Sequence, residues 1–91
     1  MNIGQAIKDL RAKKGYDQYT LAKIIKISQT SLSQIECNHK RPSAKNLGLI
    51  CLALDVSLGA IYLKAIEEED ISKAKRPIFK AFKSVIDNIL E

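Results

Sequence analysis

The chain has 91 residues, which is enough for one domain with a small core and excludes two ordinary domains. Only 5% of the residues are aromatic and Trp is absent, so the core must be mostly aliphatic, which favours packed helices. The net charge of +5 is concentrated in residues 1–66, which carry ten Lys or Arg against four Asp or Glu, and this favours an anionic partner such as nucleic acid.

The first predicted helix lies near the N-terminus. Its apolar residues follow the spacing i, i+3, i+4, i+7, which places them on one helix face: Ile3, Ala6, Ile7 and Leu10. Gly15 follows two lysines and is typical of the residue that ends a helix in the left-handed conformation. We therefore expect this helix to end just before Gly15.

Two short helices separated by a tight turn follow. Asp17 is suited to cap the N-terminus of a helix over about residues 18–25, and Ser28 is suited to cap a third helix over about residues 29–37. Lys26 and Ile27 leave room only for a turn between them. This spacing matches a helix-turn-helix motif.

A basic loop and two more helices complete the predicted bundle. Asn38 can adopt the left-handed conformation that ends the third helix, and a basic loop over residues 39–42 follows. Ser43 and Ser57 are suited to cap a fourth helix over about residues 44–54 and a short fifth helix. The fifth helix carries Leu58, Ile61, Tyr62 and Ala65 on its apolar side. The sequence predicts an all-α fold, a five-helix bundle with a further amphipathic helix at the C-terminus.

Residues 67–91 form a separate C-terminal segment, following a predicted DNA-binding domain over residues 1–66. An acidic break, Glu67 to Asp70, is followed by a last helix with Pro77 in its first turn. The broad apolar stripe of this helix comprises Ile78, Phe79, Phe82, Val85, Ile86, Ile89 and Leu90. It is too wide to stay in water, so it pairs with a second subunit, packs back on the bundle, or docks a partner protein. We expect a homodimer.

The sequence carries no sign of a cofactor, a metal site or a membrane segment. Cys37 and Cys51 lack metal-binding spacing, and we expect both to be buried or half-buried free thiols with a packing role. His39 is the only histidine and is expected to be a loop residue. The start of the chain lacks the layout of a signal peptide, and no apolar run is long enough to cross a bilayer. We expect a cytoplasmic protein without cofactor or metal.

Residues 5–62 resemble the phage-repressor (Cro-like, Xre) helix-turn-helix family. The resemblance rests on residues that occur in order at the family's spacings: Arg11, Gly15, Gln18, Leu21-Ala22, Glu36, Lys40-Arg41 and Pro42-Ser43. It implies a sequence-specific regulator of transcription, expected to be a repressor, that binds double-stranded DNA with its third helix in the major groove.

The polar face of the third helix is the candidate DNA-reading surface. A helix in a groove about 12 Å wide needs short polar side chains that can bond base edges. The resemblance implies that Gln29, Thr30 and Gln34 read bases, and Ser33 lies on the same polar face. For phosphate contacts the candidates are Gln18, Ser28, Ser31, Lys40 and Arg41.

The resemblance also implies a buried ion pair between Arg11 and Glu36, which would brace the first helix against the third. Three departures from the family pattern are visible, and one of them is Asn38, which replaces another frequent Gly and is a tolerable substitute. Lys26 stands where the family turn often has Gly, which predicts a strained or differently shaped turn. No Arg stands on the recognition face, so the commonest contact to guanine is missing and an AT-leaning site is expected.

Two other classes of function compete with that of a DNA-binding regulator. An antitoxin-like or adaptor protein would bind a partner protein through the C-terminal helix, with DNA binding secondary or lost. An enzyme is poorly supported, because the chain has one His, no phosphate-binding Gly loop, no metal-ligand spacing and no paired carboxylates in an apolar setting. We therefore expect a binding protein without catalytic activity.

Overall fold

A computed structural model describes residues 1–90, the last of these by its backbone alone. Within this range the chain forms six α-helices and no strand, which confirms the predicted all-α fold. The helices are α1 (Ile3–Lys14), α2 (Gln18–Ile25), α3 (Gln29–Glu36), α4 (Ala44–Leu54), α5 (Leu58–Ala65) and α6 (Arg76–Leu90). Two single turns of 3-10 helix, Glu68–Asp70 and Lys73–Lys75, connect α5 to α6.

Four helices begin at the predicted capping residues. The side chains of Asp17, Ser28, Ser43 and Ser57 each accept a hydrogen bond from the backbone N–H three residues on. Such a cap satisfies an N–H that the helix leaves unpaired and contributes about 1 kcal/mol. The cap of α1 was not predicted from the sequence: Asn2 accepts from the Gln5 N–H at 3.0 Å.

Left-handed residues end several helices. Gly15 has φ of 86° and Asn38 has φ of 62°, as predicted, and Lys26 (60°) and Asp55 (54°) adopt the same conformation after α2 and α4. The third helix ends at Glu36, one residue earlier than predicted, and Cys37 is its C-cap. The turn at Lys26 thus keeps the left-handed shape without the glycine that this shape favours.

The core is aliphatic and lies where α1 meets α3, α4 and α5, and where α2 meets α3 and α4. The side chains of Ile7, Leu21, Leu32, Ile35, Ile50 and Ile61 are fully buried. On α5 only Ile61 and Ala65 of the predicted apolar side are buried, whereas Leu58 and Tyr62 stay exposed. The apolar face of α3 packs into the core, and its opposite face lies on the surface of the bundle.

Gly4 allows α1 to approach the end of α3 closely. A Cβ at this position would lie 2.5 Å from the Ile35 carbonyl oxygen and 2.6 Å from that of Glu36, so no larger residue fits without a shift. The Gly4 N–H donates to the Asn38 Oδ1 at 3.0 Å, and the Asn38 Nδ2 donates to the Asn2 Oδ1 at 2.6 Å. These contacts fasten the C-terminus of α3 to the start of α1.

One face of α6 packs against its own subunit and the other does not. Phe79 and Ile86 are half-buried, and the Lys83 Nζ donates to the carbonyl oxygens of Leu63 (2.8 Å) and Lys64 (2.5 Å) at the end of α5. Ile78, Phe82, Val85 and Ile89 remain exposed, and the side chain of Leu90 lies outside the described part. The predicted stripe is therefore divided between packing on the bundle and an uncovered surface.

The acidic segment is an ordered connection rather than an open break. The N-terminal amine of Met1 lies 2.8 Å from the Asp70 carboxylate and 3.2 Å from that of Glu67. The Arg76 Nε donates to the Glu68 carbonyl oxygen at 3.1 Å. These contacts tie the acidic turn to the N-terminus and to the start of α6.

Among the described residues, no single helix is both long and apolar enough to cross a bilayer. Taken together, α4 and α5 reach that length and hydropathy, but they are bent by 96° at the turn between them.

Candidate nucleic-acid interface

The third helix has a buried apolar face and an exposed polar face. Leu32 and Ile35 are fully buried in the core, whereas Gln29, Thr30 and Gln34 are exposed and Ser33 is half-buried. Because residues three and four apart lie on the same side of a helix, the buried residues set the direction of the polar ones. The four predicted base-reading residues therefore lie together on the outer side of the bundle.

The N-terminus of α2 completes this polar surface. Gln18, at the first position of α2, lines a shallow depression together with the four polar residues of α3, Gln29, Thr30, Ser33 and Gln34. The two helices pack against each other across the turn at Lys26. The structure thus brings one predicted phosphate ligand next to all the predicted base-reading residues.

Arg11 and Glu36 form a bidentate ion pair below this surface. The Arg11 Nε lies 2.7 Å from the Glu36 Oε2, and the Arg11 Nη2 lies 3.0 Å from the Oε1. Their side chains are only 12% and 2% exposed. The Arg11 Nη1 also donates to the Tyr16 carbonyl oxygen at 2.8 Å. The pair therefore joins the last turn of α3 to α1 and to the loop before α2.

The hydrogen bonds to Glu36 raise the pKa of Arg11 further above its already high value, so its guanidinium is charged at every ordinary pH. The α2 cap is also ionised, because hydrogen bonds from the side chain and backbone of Thr20 lower the pKa of Asp17 below its usual value.

A chain of hydrogen bonds leads from this ion pair to the surface. The Gln18 Nε2 donates to the Glu36 Oε1 at 3.1 Å, and the Gln29 Nε2 approaches the Gln18 Oε1 at 3.4 Å. The sequence assigned Gln18 to phosphate binding but did not indicate its contact with Glu36, because that contact depends on how α2 packs against α3. The buried carboxylate thereby orients the amide of Gln18 next to Gln29.

The basic loop after α3 folds back on the same helix. The backbone N–H groups of His39 and Lys40 donate to the Gln34 carbonyl oxygen at 2.9 and 3.2 Å. The Lys40 Nζ donates to the Ser31 Oγ at 3.1 Å, and Arg41 is exposed beside it in the chain. Lys40 thus lies at the edge of the polar face, beside Ser31, which was predicted with Ser28 to contact phosphates.

The cysteines occupy different environments. Cys37, the C-cap of α3, is exposed, so the predicted packing role for this thiol was wrong. Cys37 follows Ser33 by four residues and its N–H donates to the Ser33 carbonyl oxygen, so it lies on the outer side of α3, away from the core. Cys51 is half-buried against the core, and burial raises the pKa of its thiol.

The arrangement suits recognition of a stacked, anionic polymer. Amide and hydroxyl groups on a short helix can bond base edges, while neighbouring cations and the N-terminus of α2 can bind phosphates. Within the described residues, no group of three His, Cys, Asp or Glu side chains is close enough to hold a metal ion.

Comparison with known proteins gives two matches. The helix-turn-helix family profile matches residues 7–61, more than half of the chain. Over 65 residues the chain is 34% identical to the "ImmF control region 10 kDa protein" of Bacillus phage phi105. The aligned part covers 71% of this chain and 72% of the phage protein. The match to the family profile includes the polar face of α3 and the turn before it.

Proposed function

The chain belongs to the phage-repressor-like (Cro-like, Xre) helix-turn-helix family of DNA-binding transcription regulators, and from this premise we propose that it represses transcription by binding a specific duplex sequence. In this proposal α3 lies in the major groove. The observation that carries it is the exposure of Gln29, Thr30 and Gln34 on a helix whose opposite face is buried in the core. The protein acts by binding, without a catalytic step, on DNA in the cytoplasm.

Base reading is assigned to the outer face of α3. A glutamine amide can donate one hydrogen bond and accept another from the major-groove edge of adenine, and a threonine methyl can contact the thymine methyl. Gln29 and Gln34 supply the amides, Thr30 the methyl group, and Ser33 a hydroxyl. Since this face carries no Arg, the proposal favours AT-leaning sites over sites that depend on guanine contacts.

Phosphate binding is assigned to the rim of this face. Lys40 and Arg41 are the cations, and Gln18, Ser28 and Ser31 are the hydrogen-bonding groups at the N-termini of α2 and α3. Contacts of this kind position a protein on the duplex without reading its sequence. The Gln18 contact is supported by its place at the start of α2, where unpaired backbone N–H groups favour an anion.

The proposal also includes that the protein acts as a homodimer and that it represses transcription. It is supported by the likeness to phage repressors, by a relative that is named for a control region, and by the uncovered apolar face of α6. Two copies would present two recognition helices to half-sites about 34–36 Å apart, one helical turn of DNA.

A second candidate is an antitoxin-like or adaptor protein, favoured by the same uncovered face of α6. Salt dependence separates the two functions. A DNA-binding regulator loses affinity with rising salt, with a slope in log K against log salt of about −0.9 for each phosphate neutralised. An adaptor bound through apolar contacts shows little dependence on salt.

The proposed function is tested by selecting bound duplexes from a random pool at two salt concentrations. We expect enrichment of one two-fold symmetric, AT-leaning motif that becomes sharper at the higher salt, where nonspecific phosphate binding weakens. A pool that stays random at both salt concentrations would contradict sequence-specific binding, and a GC-rich motif would contradict the assigned base contacts.

A further inference from the structure

The uncovered face of α6 has the spacing of a helix-pairing seam. Its four apolar residues are Ile78, Phe82, Val85 and Ile89, which are 74%, 52%, 56% and 71% exposed. They are separated by four, three and four residues, as are the inward positions of two paired helices. The helix has 15 residues, so the seam runs along most of its length. A contiguous apolar row of this kind marks an interaction surface rather than scattered exposure.

The opposite face of α6 already contacts its own subunit. Phe79 and Ile86 pack inward, the Lys83 Nζ lies on the carbonyl oxygens at the end of α5, and Asp87 lies 3.6 Å from that Nζ. The helix is therefore held in place with the seam directed away from the bundle. No described part of the same chain covers the seam.

The neighbouring side chains fit a second copy of this chain as the occupant. Ala81, Ser84 and Asn88 lie beside the seam on the side away from α5, and all three are small or uncharged and exposed. In a two-fold contact the same surface patch meets itself, so any charge at its centre would meet a like charge. The charged Lys80 lies outside the seam and pairs with Glu68 at 3.1 Å. The uncharged flank avoids repulsion in a self-pairing interface and offers nothing to a charged partner.

We infer that two copies of this chain pair through α6 in an antiparallel two-fold contact. The seam is symmetric about a point midway between residues 82 and 85. An antiparallel pair therefore places Ile78 opposite Ile89 of the second copy, and Phe82 opposite Val85 of the second copy.

Side-chain size and charge both favour this orientation over a parallel pair. The antiparallel contact sets a large side chain against a smaller one, whereas a parallel contact sets Phe82 against Phe82. A parallel pair would also place the two helix dipoles side by side with like ends together, whereas an antiparallel pair sets opposite ends next to each other.

The inference rests on the proposed homodimer and not on DNA binding, so its test uses the full chain without DNA. Sedimentation equilibrium in the micromolar range should give the wild type twice the chain mass. Phe82→Glu and Val85→Glu should each lower that mass by half, because they place a like charge at the symmetric centre. Leu52→Glu is the matched control: Leu52 is 79% exposed on α4, outside the seam, and its variant should remain dimeric.

A wild type of single-chain mass would overturn both the homodimer and the inference. Dimers that survive Phe82→Glu but dissociate with Leu52→Glu would place the interface on α4 and overturn the inference alone. Circular dichroism and thermal melting of each variant establish that it is folded. If one of the two α6 variants does not fold, the other still tests the interface.

The orientation is tested by disulfide crosslinking in a Cys37→Ser background. Chains with Ile78→Cys mixed with chains carrying Ile89→Cys should form the mixed disulfide. Two copies of the Ile78→Cys chain should not crosslink with each other, and neither should two copies of the Ile89→Cys chain. In the antiparallel pair the two residues at position 78 are about 16 Å apart along the axis, at about 1.5 Å per residue. A disulfide requires Cα atoms within about 7 Å. Self-crosslinking of either chain would show a parallel contact and overturn the inference.

Discussion

The contact between Arg11 and Glu36 shows how much the fold depends on a single residue pair. Glu36 is almost completely buried and receives hydrogen bonds from the Arg11 Nε and Nη2 and from the Gln18 Nε2. Removing one partner of a buried pair leaves the other charge without compensation in a poorly solvated place. The pair therefore matters more for what its loss would cost than for the net stability that it contributes.

Arg11→Ala should lower the free energy of unfolding by about 3–5 kcal/mol, because the Glu36 carboxylate is then stranded in the core. Thermal or urea unfolding measures the loss. Lys8→Ala, at an exposed position on the same helix, is the control and should change the stability by less than about 0.5 kcal/mol. DNA affinity should fall only where the variant unfolds. An Arg11→Ala protein with the wild-type melting temperature would refute the structural role of the pair.

Asp17 gives the protein a defined acid sensitivity. Hydrogen bonds from the side chain and backbone of Thr20 hold the pKa of Asp17 below its ordinary value of 3.8. A carboxyl group with a lowered pKa in the folded state stabilises the fold fully above its unfolded pKa, and this contribution is lost as the pH falls through the folded pKa.

The stability advantage of the wild type over Asp17→Asn should therefore be constant near neutral pH and shrink below about pH 4. Melting temperatures of both proteins, measured from neutral pH to below about pH 4, test the sign of this pH dependence. Ser43→Ala removes a cap that carries no titratable group, so its difference from the wild type should not change with pH. A parallel pH response of the two variants would contradict the assignment.

At the scale of the helices and turns, two residues in the left-handed conformation differ in whether their side chains form hydrogen bonds. Lys26 and Asn38 have nearly the same φ, 60° and 62°. Asn38 uses its side chain to bond Gly4 and Asn2, whereas Lys26 is exposed at the C-cap of α2. The same substitution should thus have opposite effects at the two positions.

Lys26→Gly should stabilise the protein by up to about 1 kcal/mol, because glycine adopts the left-handed conformation without steric cost. Asn38→Gly should destabilise it by about 1 kcal/mol or more, since two hydrogen bonds are lost. Urea unfolding of both variants decides the matter. Equal signs would show that side-chain bonding does not distinguish these turns.

Local structure was predictable from the sequence because its causes are local. The caps at Asp17, Ser28, Ser43 and Ser57 depend on one side chain and a backbone N–H three residues away. The all-α fold follows from these caps and from apolar spacing, and both are confirmed by the structure.

Contacts between elements were less accessible from the sequence. The closeness of Gly4 to α3 and the bond between Gln18 and Glu36 depend on how helices pack. The same holds for the apolar residues of α6: periodicity indicated one broad stripe, but only packing against α5 divides it into an inner and an outer face. The exposure of Cys37 is a different case, because its spacing of four residues from Ser33 already places it on the outer side of α3.

In the whole molecule, the proposed DNA-reading face and the proposed pairing face lie on different elements. The third helix packs on α1 and α2, and α6 packs on α5 and the connecting turns. The acidic connection between α5 and α6 carries Glu67, Glu68, Glu69 and Asp70, whereas the cations Lys40 and Arg41 lie beside α3. Glu67 nevertheless lines one depression together with Lys40 and Arg41, so the acidic connection begins close to the basic loop.

The central claim is that the polar face of α3 reads bases while its cationic rim binds phosphates. The most direct measurement is the affinity for a selected duplex and for a scrambled duplex, by fluorescence anisotropy over a range of salt concentrations. The wild type, Gln34→Ala and Lys40→Ala are compared. Gln34→Ala should lose about 1–3 kcal/mol on the selected duplex and nothing on the scrambled one. Lys40→Ala should weaken both duplexes alike and reduce the salt slope by about 1. Equal losses on both duplexes for Gln34→Ala, with an unchanged slope for Lys40→Ala, would contradict the account.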